Sequence, residues 1–196
     1  HLQEEEKISN FWIKNGCFKP RKGKSTKTFS IVIPPPNITG RLHMGHALNN
    51  SLQDVLVRFN RMKGLETLWQ PGTDHAGIAT QAIVEQNLIK EGLDKNKLGR
   101  DKFIQRVWKW KEESGGIILD QLKKLGCSCD WSRTRFTMDE DLSKAVIKVF
   151  VDLYNKKLIY KDKKLVNWDT KLQTAISDLE VVQREVQSQL YYIEYQ

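Results

Sequence analysis

The segment from residue 31 to residue 46 constrains the fold of this 196-residue chain more than any other. Residues 31–33, Ile-Val-Ile, form a β-branched run that is typical of a buried strand. Three prolines at residues 34–36 then end the sheet pairing, because proline has no backbone N–H to donate. From Met44 onward, apolar residues recur at helical spacing. The segment therefore predicts a strand, a stiff loop and a helix, in that order.

Two histidines stand at the predicted start of this helix. His43 and His46 are three positions apart, so in a helix they share one face within the first turn. That turn presents unpaired backbone N–H groups and the positive end of the helix dipole, which favour phosphate. Gly40 frees the backbone just before it. The pattern predicts a nucleotide site; the simpler alternative is a proline-rich turn that caps an ordinary helix with two surface histidines.

A second motif, Pro-Gly-Thr-Asp-His-Ala-Gly at residues 71–77, directly follows a strand predicted at residues 65–69. A carboxylate in such a loop can pair with a substrate ammonium in a partly desolvated site, and Asp74 is placed to do so. The alternative is that Asp74 caps the following helix and that His75 is an ordinary loop histidine.

The first strand, the helix and the second strand predict a βαβ unit with parallel strands and a right-handed connection. We expect one apolar stripe of the helix to pack on this sheet, and the stripe consists of Leu48, Leu52, Val55, Phe59 and Met62. Ligands in such sheets bind at the carboxyl ends of the strands. Both motifs lie at that end, so we expect them to form one site.

Four further helices are predicted, at residues 4–15, 79–90, 100–125 and 139–156, with Gly-Gly at residues 115–116 as a candidate interruption. We expect the last helix to pack in the core through Leu142, Val146, Val149 and Leu153. Beyond residue 164 the pattern changes to short β-rich stretches at residues 165–168, 179–182 and 190–195. We therefore divide the chain into domains at residues 1–163 and 164–196.

The composition limits the classes of protein that need to be considered. Hydrophobic residues make up 39% of the chain, which argues against a disordered protein. The net charge of +8 suits an anionic partner such as RNA, although a lysine-rich composition alone gives the same excess. Three cysteines, two of them in a Cys-x-Cys pair, match neither a disulfide scaffold nor a closed zinc site. We expect a cytoplasmic protein without a membrane span or signal peptide.

A basic loop at residues 19–27 contains Gly-Lys-Ser-Thr, which resembles the end of a P-loop. Phe18 stands where the first glycine of a P-loop is needed, and the segment precedes a strand instead of following one. We therefore predict no P-loop and expect a solvated basic loop, with RNA binding as the alternative.

Residues 34–46 resemble the HIGH signature of the class I aminoacyl-tRNA synthetases, in the form that looks like their valyl family. Residues 71–77, 106–139 and 165–181 are similar to the valyl family as well. The resemblance implies a Rossmann-like α/β half-domain with parallel strands and flanking helices, followed by the β-rich start of an editing insertion. It also implies activation of valine by ATP, with Mg²⁺, to valyl-adenylate and transfer of valine to tRNA(Val).

The same resemblance assigns residues to two parts of the site. The residues that it implies for ATP binding are Thr39, Gly40, His43, Gly45 and His46, with the two histidines as catalytic donors. The residues that it implies for the valine pocket are Pro35, Pro36, Asn37 and Asp74, with Asp74 binding the α-ammonium. Asp169 and Leu172 stand where some relatives carry zinc-binding cysteines, so we predict no structural zinc.

No segment matches the lysine-rich KMSKS-type loop of the family, its complete editing domain or its anticodon-binding domain. The first residue is His1 and not methionine. We therefore expect a monomeric amino-terminal part of a synthetase, with little activity by itself. Three alternatives remain: a freestanding synthetase-derived module that binds RNA or protein without catalysis, an isoleucyl-like synthetase, and a small nucleotidylyltransferase that uses His-x-Gly-His for ATP.

Overall fold

The structure, a computed structural model, describes residues 2–21, 23 and 27–195. Residues 22 and 24–26 of the predicted basic loop lie outside the described residues. The chain divides into two compact units, His1–Lys148 and Val149–Gln196, and each is described by itself.

Helices and strands alternate through most of the chain. The helices are α1 (Leu2–Lys14), α2 (Met44–Met62), α3 (Ile78–Lys90), α4 (Lys95–Leu98), α5 (Arg100–Lys124) and α6 (Glu140–Asn155). The strands are β1 (Thr28–Val32), β2 (Glu66–Gln70), β3 (Gly72–Thr73), β4 (Arg135–Phe136), β5 (Asn167–Asp169) and β6 (Thr174–Ile176). The sequence pattern missed α4, which is a single turn and too short to show a period.

The predicted βαβ unit is present. Strands β1 and β2 pair in parallel from Thr28 opposite Glu66 to Val32 opposite Gln70, and α2 connects them. Trp69 of β2 is fully buried, and its indole N–H donates to Gln53 of α2 over 3.1 Å. The parallel α/β arrangement predicted from the sequence is confirmed.

The expected packing face of α2 is wrong. Its apolar stripe lies on the exposed side of the helix, with Leu48 65% and Met62 87% exposed. The face toward the sheet buries Val57 and Asn50, and the partly buried Asp54 lies on the same face. Asp54 accepts hydrogen bonds from the backbone N–H and the hydroxyl of Ser128, at 2.9 and 2.5 Å. Paired polar groups can be buried at low cost, so hydrophobicity alone did not identify the inner face.

Helix α5 runs without a break through the two glycines that were a candidate interruption. Gly115 is buried, and a Cβ at this position would lie 3.8 Å from a methyl carbon of Ile38. A smaller cluster of Val84, Leu88 and Phe103 joins α5 to α3. Within the first unit, α5 therefore packs against both α3 and the loop that follows β1.

Helix α6 forms where the pattern predicts it, but its expected core packing is wrong. None of its residues is buried, and Val146 and Val149 are each more than half exposed. An apolar stripe shows only which side of a helix can be buried, since burial also needs an element that covers it.

In the second unit, β5 and β6 form an antiparallel hairpin in which Trp168 pairs with Ala175. Asp169 accepts the backbone N–H groups of Lys171 and Leu172 at 2.8 and 2.7 Å and so closes the turn. Two predicted strands are wrong: residues 178–180 form a 3₁₀ turn, and residues 190–195 have no regular structure. A strand needs a partner for its backbone groups, and the described part of this unit offers none there.

Among the residues that the structure describes, no helix is both long and apolar enough to cross a lipid bilayer.

Candidate active site

The two motifs predicted at the carboxyl edge of the strands are joined by their backbones. Ile33, the first residue after β1, donates its N–H to Gln70 of β2 over 3.0 Å and so extends the ladder. The N–H of Asp74 then donates to the carbonyl of Pro36 over 2.8 Å, and the N–H of Ile38 donates to the carbonyl of Asp74 over 3.0 Å. These two bonds form a parallel bridge that holds Asn37 opposite Asp74.

Helix α5 fixes the proline-rich loop at two points. The carbonyl of Ile38 accepts the indole N–H of Trp110 at 2.7 Å and the hydroxyl of Ser114 at 3.2 Å. Further along, the N–H of Leu42 donates to the side-chain carbonyl of Gln121 over 3.0 Å. Ile38 itself is 1% exposed. The loop is therefore held on both sides of residues 39–41, which limits its motion relative to α5.

A cavity of about 590 Å³ opens between this loop and the start of α2, a size common for small-molecule sites. Its lining residues are Pro34, Pro35, Pro36, Asn37, Thr39, Gly40, Arg41, Leu42, His43, Gly45, His46, Asn49 and Asn50. Every residue predicted for the site lines it except Asp74, which is connected to the wall by its bridge to Asn37.

Backbone hydrogen bonds fix the tautomers of the two histidine rings. Nδ1 of His46 accepts the backbone N–H of His43 at 3.2 Å, and Nδ1 of His43 accepts the backbone N–H of Gly45 at 3.1 Å. Their ring centroids are 4.0 Å apart. Because each Nδ1 acts as an acceptor, the proton of each neutral ring resides on Nε2. The start of α2 thus presents two Nε2–H donors.

The charge of His46 is set by its surroundings. Burial lowers the pKa of His46 below its ordinary value of 6.5, and neighbouring His43 lowers this pKa further. His46 is therefore a neutral donor at pH 7. Gly45 provides the space for this arrangement, since a Cβ there would lie 2.9 Å from Cε1 of His43.

The carboxylate of Asp74 is oriented from several sides. Its Oδ1 atom accepts the backbone N–H of Ala76 at 3.0 Å, and Nδ1 of His75 lies 3.3 Å away. Ala76 and Gly77 both have positive φ angles, 51° and 50°, which turn the chain sharply after the carboxylate. In the described part of the chain no hydrogen bond reaches Oδ2, and the Asp74 side chain is 35% exposed. The carboxylate can therefore accept a ligand through Oδ2.

Sequence reasoning did not assign six residues of this region to the site: Pro34, Arg41, Leu42, Asn49, Asn50 and Thr137. Asn49 and Asn50 follow His46 by three and four positions, so helical spacing could have placed them on the same face. Asn50 donates to the carbonyl of His46 over 2.7 Å, which stiffens the first turn of α2. Thr137 comes from a distant segment, and no local pattern connects it to the site.

A second cavity, of about 560 Å³, lies beside His75 and is bounded mainly by α3, α4 and α5. Its lysines are already paired: Lys95 lies 3.3 Å from Glu85, and Lys111 lies 3.0 Å from Glu112. Arg100 also lines this second cavity. The cavity at the histidines differs in having two oriented Nε2–H donors at the start of a helix, where a phosphate group is favoured.

No group of three or more His, Cys, Asp or Glu side chains comes together among the described residues in a way that could hold a metal ion. Cys127 and Cys129 are buried, and burial is the main cause that raises the pKa of the Cys127 thiol to about 12. Burial raises the pKa of Cys129 as well. Both thiols are therefore protonated at neutral pH and are weak nucleophiles.

Comparison with known proteins identifies the family of this chain. The family model described as tRNA synthetases class I (I, L, M and V) matches residues 7–195. A valine–tRNA ligase of Pelagibacter ubique (strain HTCC1062) is 71% identical over 195 residues, which is 100% of this chain and 22% of the relative. A valine–tRNA ligase of Bradyrhizobium diazoefficiens is 61% identical over 194 residues, 97% of this chain and 20% of the relative. This chain thus spans about a fifth of the length of these curated relatives.

A solved structure agrees on the fold. The crystal structure of the ternary complex of Agrobacterium radiobacter K84 AgnB2 LeuRS with tRNA and LeuAMS superimposes with a TM-score of 0.74 at 25% identity. The match covers 93% of this chain and 22% of that one. The family model alone spans nearly all of the chain, and the chain therefore belongs to the class I tRNA synthetases.

Proposed function

We propose that this chain supplies the ATP site and the valine pocket of an enzyme that activates valine with ATP and transfers it to tRNA(Val). One observation supports this most directly: His43 and His46 line one cavity, and each has its Nδ1 occupied so that Nε2–H is the remaining donor. The names of the relatives, which are valine–tRNA ligases, support the choice of amino acid.

The proposed chemistry needs donors that gain strength as charge develops. The valine carboxylate attacks the α-phosphorus of ATP, an O–P bond forms, and pyrophosphate leaves as the bond to its bridging oxygen breaks. Negative charge grows on the phosphate oxygens in the transition state. Neutral Nε2–H donors of His43 and His46, fixed before the reaction starts, stabilise that charge without reorganisation. Holding the two reactants in line supplies much of the remaining acceleration.

The loop offers further contacts to ATP. Thr39 and Gly40 stand at the turn of the proline-rich loop, and Gly45 lies in the first turn of α2, where it has no side chain. We assign these three residues to ATP binding, with Gly45 allowing the nucleoside to approach the helix closely. ATP enters with Mg²⁺, which in such complexes is bound largely by phosphate oxygens and water.

We assign the valine pocket to the part of the loop that is bridged to Asp74. Pro35 and Pro36 give a rigid apolar wall for the branched side chain, and Asn37 offers a polar group beside them. Asp74 binds the α-ammonium of valine, and its open Oδ2 supports this assignment. A charged hydrogen bond of this kind orients the substrate as well as binding it.

We further propose a cytoplasmic monomer with domains at residues 1–163 and 164–196, the second being the start of an editing insertion. The three free thiols suit a reducing compartment. The net charge of +8 suits the tRNA partner.

Valine-dependent exchange of pyrophosphate into ATP by the full-length protein tests the proposal. Removing one preorganised donor costs about 10²–10³ in rate, so His46→Ala should lose activity by that factor. Asn60→Ala is a matched control, because Asn60 also lies in α2 and its side chain donates to the carbonyl of Leu56, away from the cavity. Exchange by His46→Ala near the wild-type rate would refute the assignment of the histidines.

The same assay separates the alternatives. Exchange that depends on isoleucine and not on valine would identify an isoleucyl-like enzyme. Exchange driven only by another acceptor would favour a nucleotidylyltransferase. RNA binding without any exchange would favour a module that has no catalytic role.

A further inference from the structure

Thr137 reaches the carboxylate of Asp74 through a second pair of parallel strands. Strands β3 and β4 place Thr73 opposite Phe136, and the N–H of Thr137 donates to the carbonyl of Thr73 over 3.2 Å. The close approach of β4 to β3 needs a glycine at position 72, because a Cβ there would lie 2.9 Å from the carbonyl oxygen of Arg135. The pairing brings residues 74 and 137, which are 63 positions apart, into contact.

The hydroxyl of Thr137 has three partners in the loop. It accepts the backbone N–H of His75 at 2.9 Å. Its oxygen lies 2.6 Å from Nδ1 of His75 and 3.2 Å from Oδ1 of Asp74. One side-chain oxygen therefore connects the backbone and the side chain of His75 with the carboxylate of Asp74.

The number of available protons fixes the direction of these bonds. A hydroxyl has one hydrogen to donate and two lone pairs that can accept. Asp74 as a carboxylate can only accept, so the hydroxyl hydrogen goes to its Oδ1. His75 must then donate twice to Thr137, once from its backbone N–H and once from Nδ1–H. All three contacts are satisfied in this arrangement.

We propose that Thr137 is a positioning residue, which rotates the Asp74 carboxylate so that Oδ2 points to the ammonium of the substrate. This inference rests on the proposed function, in which Asp74 binds that ammonium. The hydroxyl of Thr137 and the N–H of Ala76 both donate to Oδ1, and their combined effect leaves Oδ2 for the ligand. Without the hydroxyl, the carboxylate loses one donor and can turn about its χ2 angle.

The predicted consequence is selective for the amino acid. A hydrogen bond to a charged group contributes enough binding free energy that its loss from Asp74 should raise the KM for valine about tenfold. The KM for ATP should change less than about twofold, since the ATP donors are His43 and His46 of another segment. Thr137→Val removes the hydroxyl while keeping the shape of the side chain, and Thr137→Ser keeps the hydroxyl and should restore the KM for valine.

Two fragments of valine make the test more specific. Isobutylamine retains the isopropyl group and the ammonium, whereas isovalerate retains the isopropyl group and the carboxylate. As competitive inhibitors of exchange by the full-length protein, they report on the two ends of the substrate separately. Thr137→Val should weaken inhibition by isobutylamine about tenfold and leave the inhibition constant of isovalerate unchanged.

Thr134→Val provides the matched control. Thr134 lies three residues earlier and is also partly buried, but its hydroxyl donates to the carbonyl of Trp131 over 2.9 Å, outside the site. This variant should keep the wild-type KM for both substrates.

Several outcomes overturn the inference. An unchanged KM for valine in Thr137→Val refutes it, as does equal weakening of both inhibitors. A tenfold rise in the KM for valine in Thr137→Ser refutes it as well, whether or not the Thr137→Val protein folds. If the wild-type protein shows no valine-dependent exchange, the proposed function itself is refuted. Failure of the proposed function can therefore be distinguished from failure of the inference about Thr137.

Discussion

Replacing Gly45 by alanine should lower the activity of the protein but leave its stability nearly unchanged. The substitution displaces the ring of His43, while its effects on helix stability nearly cancel. The new Cβ would lie 2.9 Å from Cε1 and 3.1 Å from Nδ1 of His43. Ordinary contacts begin near 3.4 Å, so the ring must retreat by roughly 0.5 Å. This movement breaks the 3.1 Å bond from the N–H of Gly45 to the ring.

The effect on stability should be small. Loss of the side-chain cap costs about 1 kcal/mol. Alanine in place of glycine within a helix returns about 1 kcal/mol through its higher helix propensity. Since the two terms nearly cancel, the melting temperature of Gly45→Ala should remain close to that of the parent protein.

The effect on catalysis should be large. A displacement of about 1 Å in a catalytic group can cost 10²-fold in rate, so a shift of roughly half that size should lower exchange about 10- to 100-fold. The assay is valine-dependent pyrophosphate exchange by the full-length protein, with thermal unfolding measured in parallel. Gly116→Ala is the control, because nothing lies within 4 Å of a Cβ added at this position in α5. Undiminished exchange by Gly45→Ala, or equal losses in both variants, would refute this account of the site.

Two further predictions follow from the pKa directions. Burial raises the pKa values of Cys127 and Cys129 and shields both thiols from solvent. Brief treatment of the folded protein with iodoacetamide should therefore label Cys17 and spare Cys127 and Cys129. Peptide mapping by mass spectrometry can measure the labelling of each cysteine. Rapid labelling of Cys127 would contradict its burial. Because the pKa of His46 is lowered in the folded protein, the unfolded chain binds more protons than the folded one just below pH 6.5. The contribution of His46 to the free energy of unfolding therefore falls as the pH decreases through this range, and it is constant at higher pH. An NMR titration should give His46 a midpoint below 6.5, and His43→Ala should raise it; a midpoint at or above 6.5 would contradict the assignment.

The elements around the candidate site could be predicted because they depend on local chemistry. The β-branched run and the prolines located the carboxyl end of β1, although the strand begins three residues earlier than predicted and has no buried residue. The helical period located α2 from Met44 to Met62. Parallel pairing and the meeting of both motifs at one edge then followed from topology. Predictions of this kind succeed where neighbouring residues in sequence determine the structure.

Features that depend on distant partners could not be predicted in this way. The inner face of α2 is partly polar, since Asp54 bonds to Ser128, which is 74 positions away. The anchoring of the proline-rich loop by Trp110 is equally distant in sequence. Thr137 was missed for the same reason, because only the pairing of β3 with β4 brings it to Asp74. Local periodicity contains no information about such partners.

The contacts that hold the proline-rich loop also bear on the order in which this protein folds. The bonds from Trp110 to Ile38, from Leu42 to Gln121 and from Thr137 to Asp74 close segments of 72, 79 and 63 residues. Closing such long segments costs chain entropy before any of these bonds can form. The helices can form from contacts within a few residues, whereas the site requires most of the first unit to be in place. Loop-closure entropy therefore predicts that the binding site is among the last parts of this unit to assemble, so that its formation would report that the unit has reached its native state.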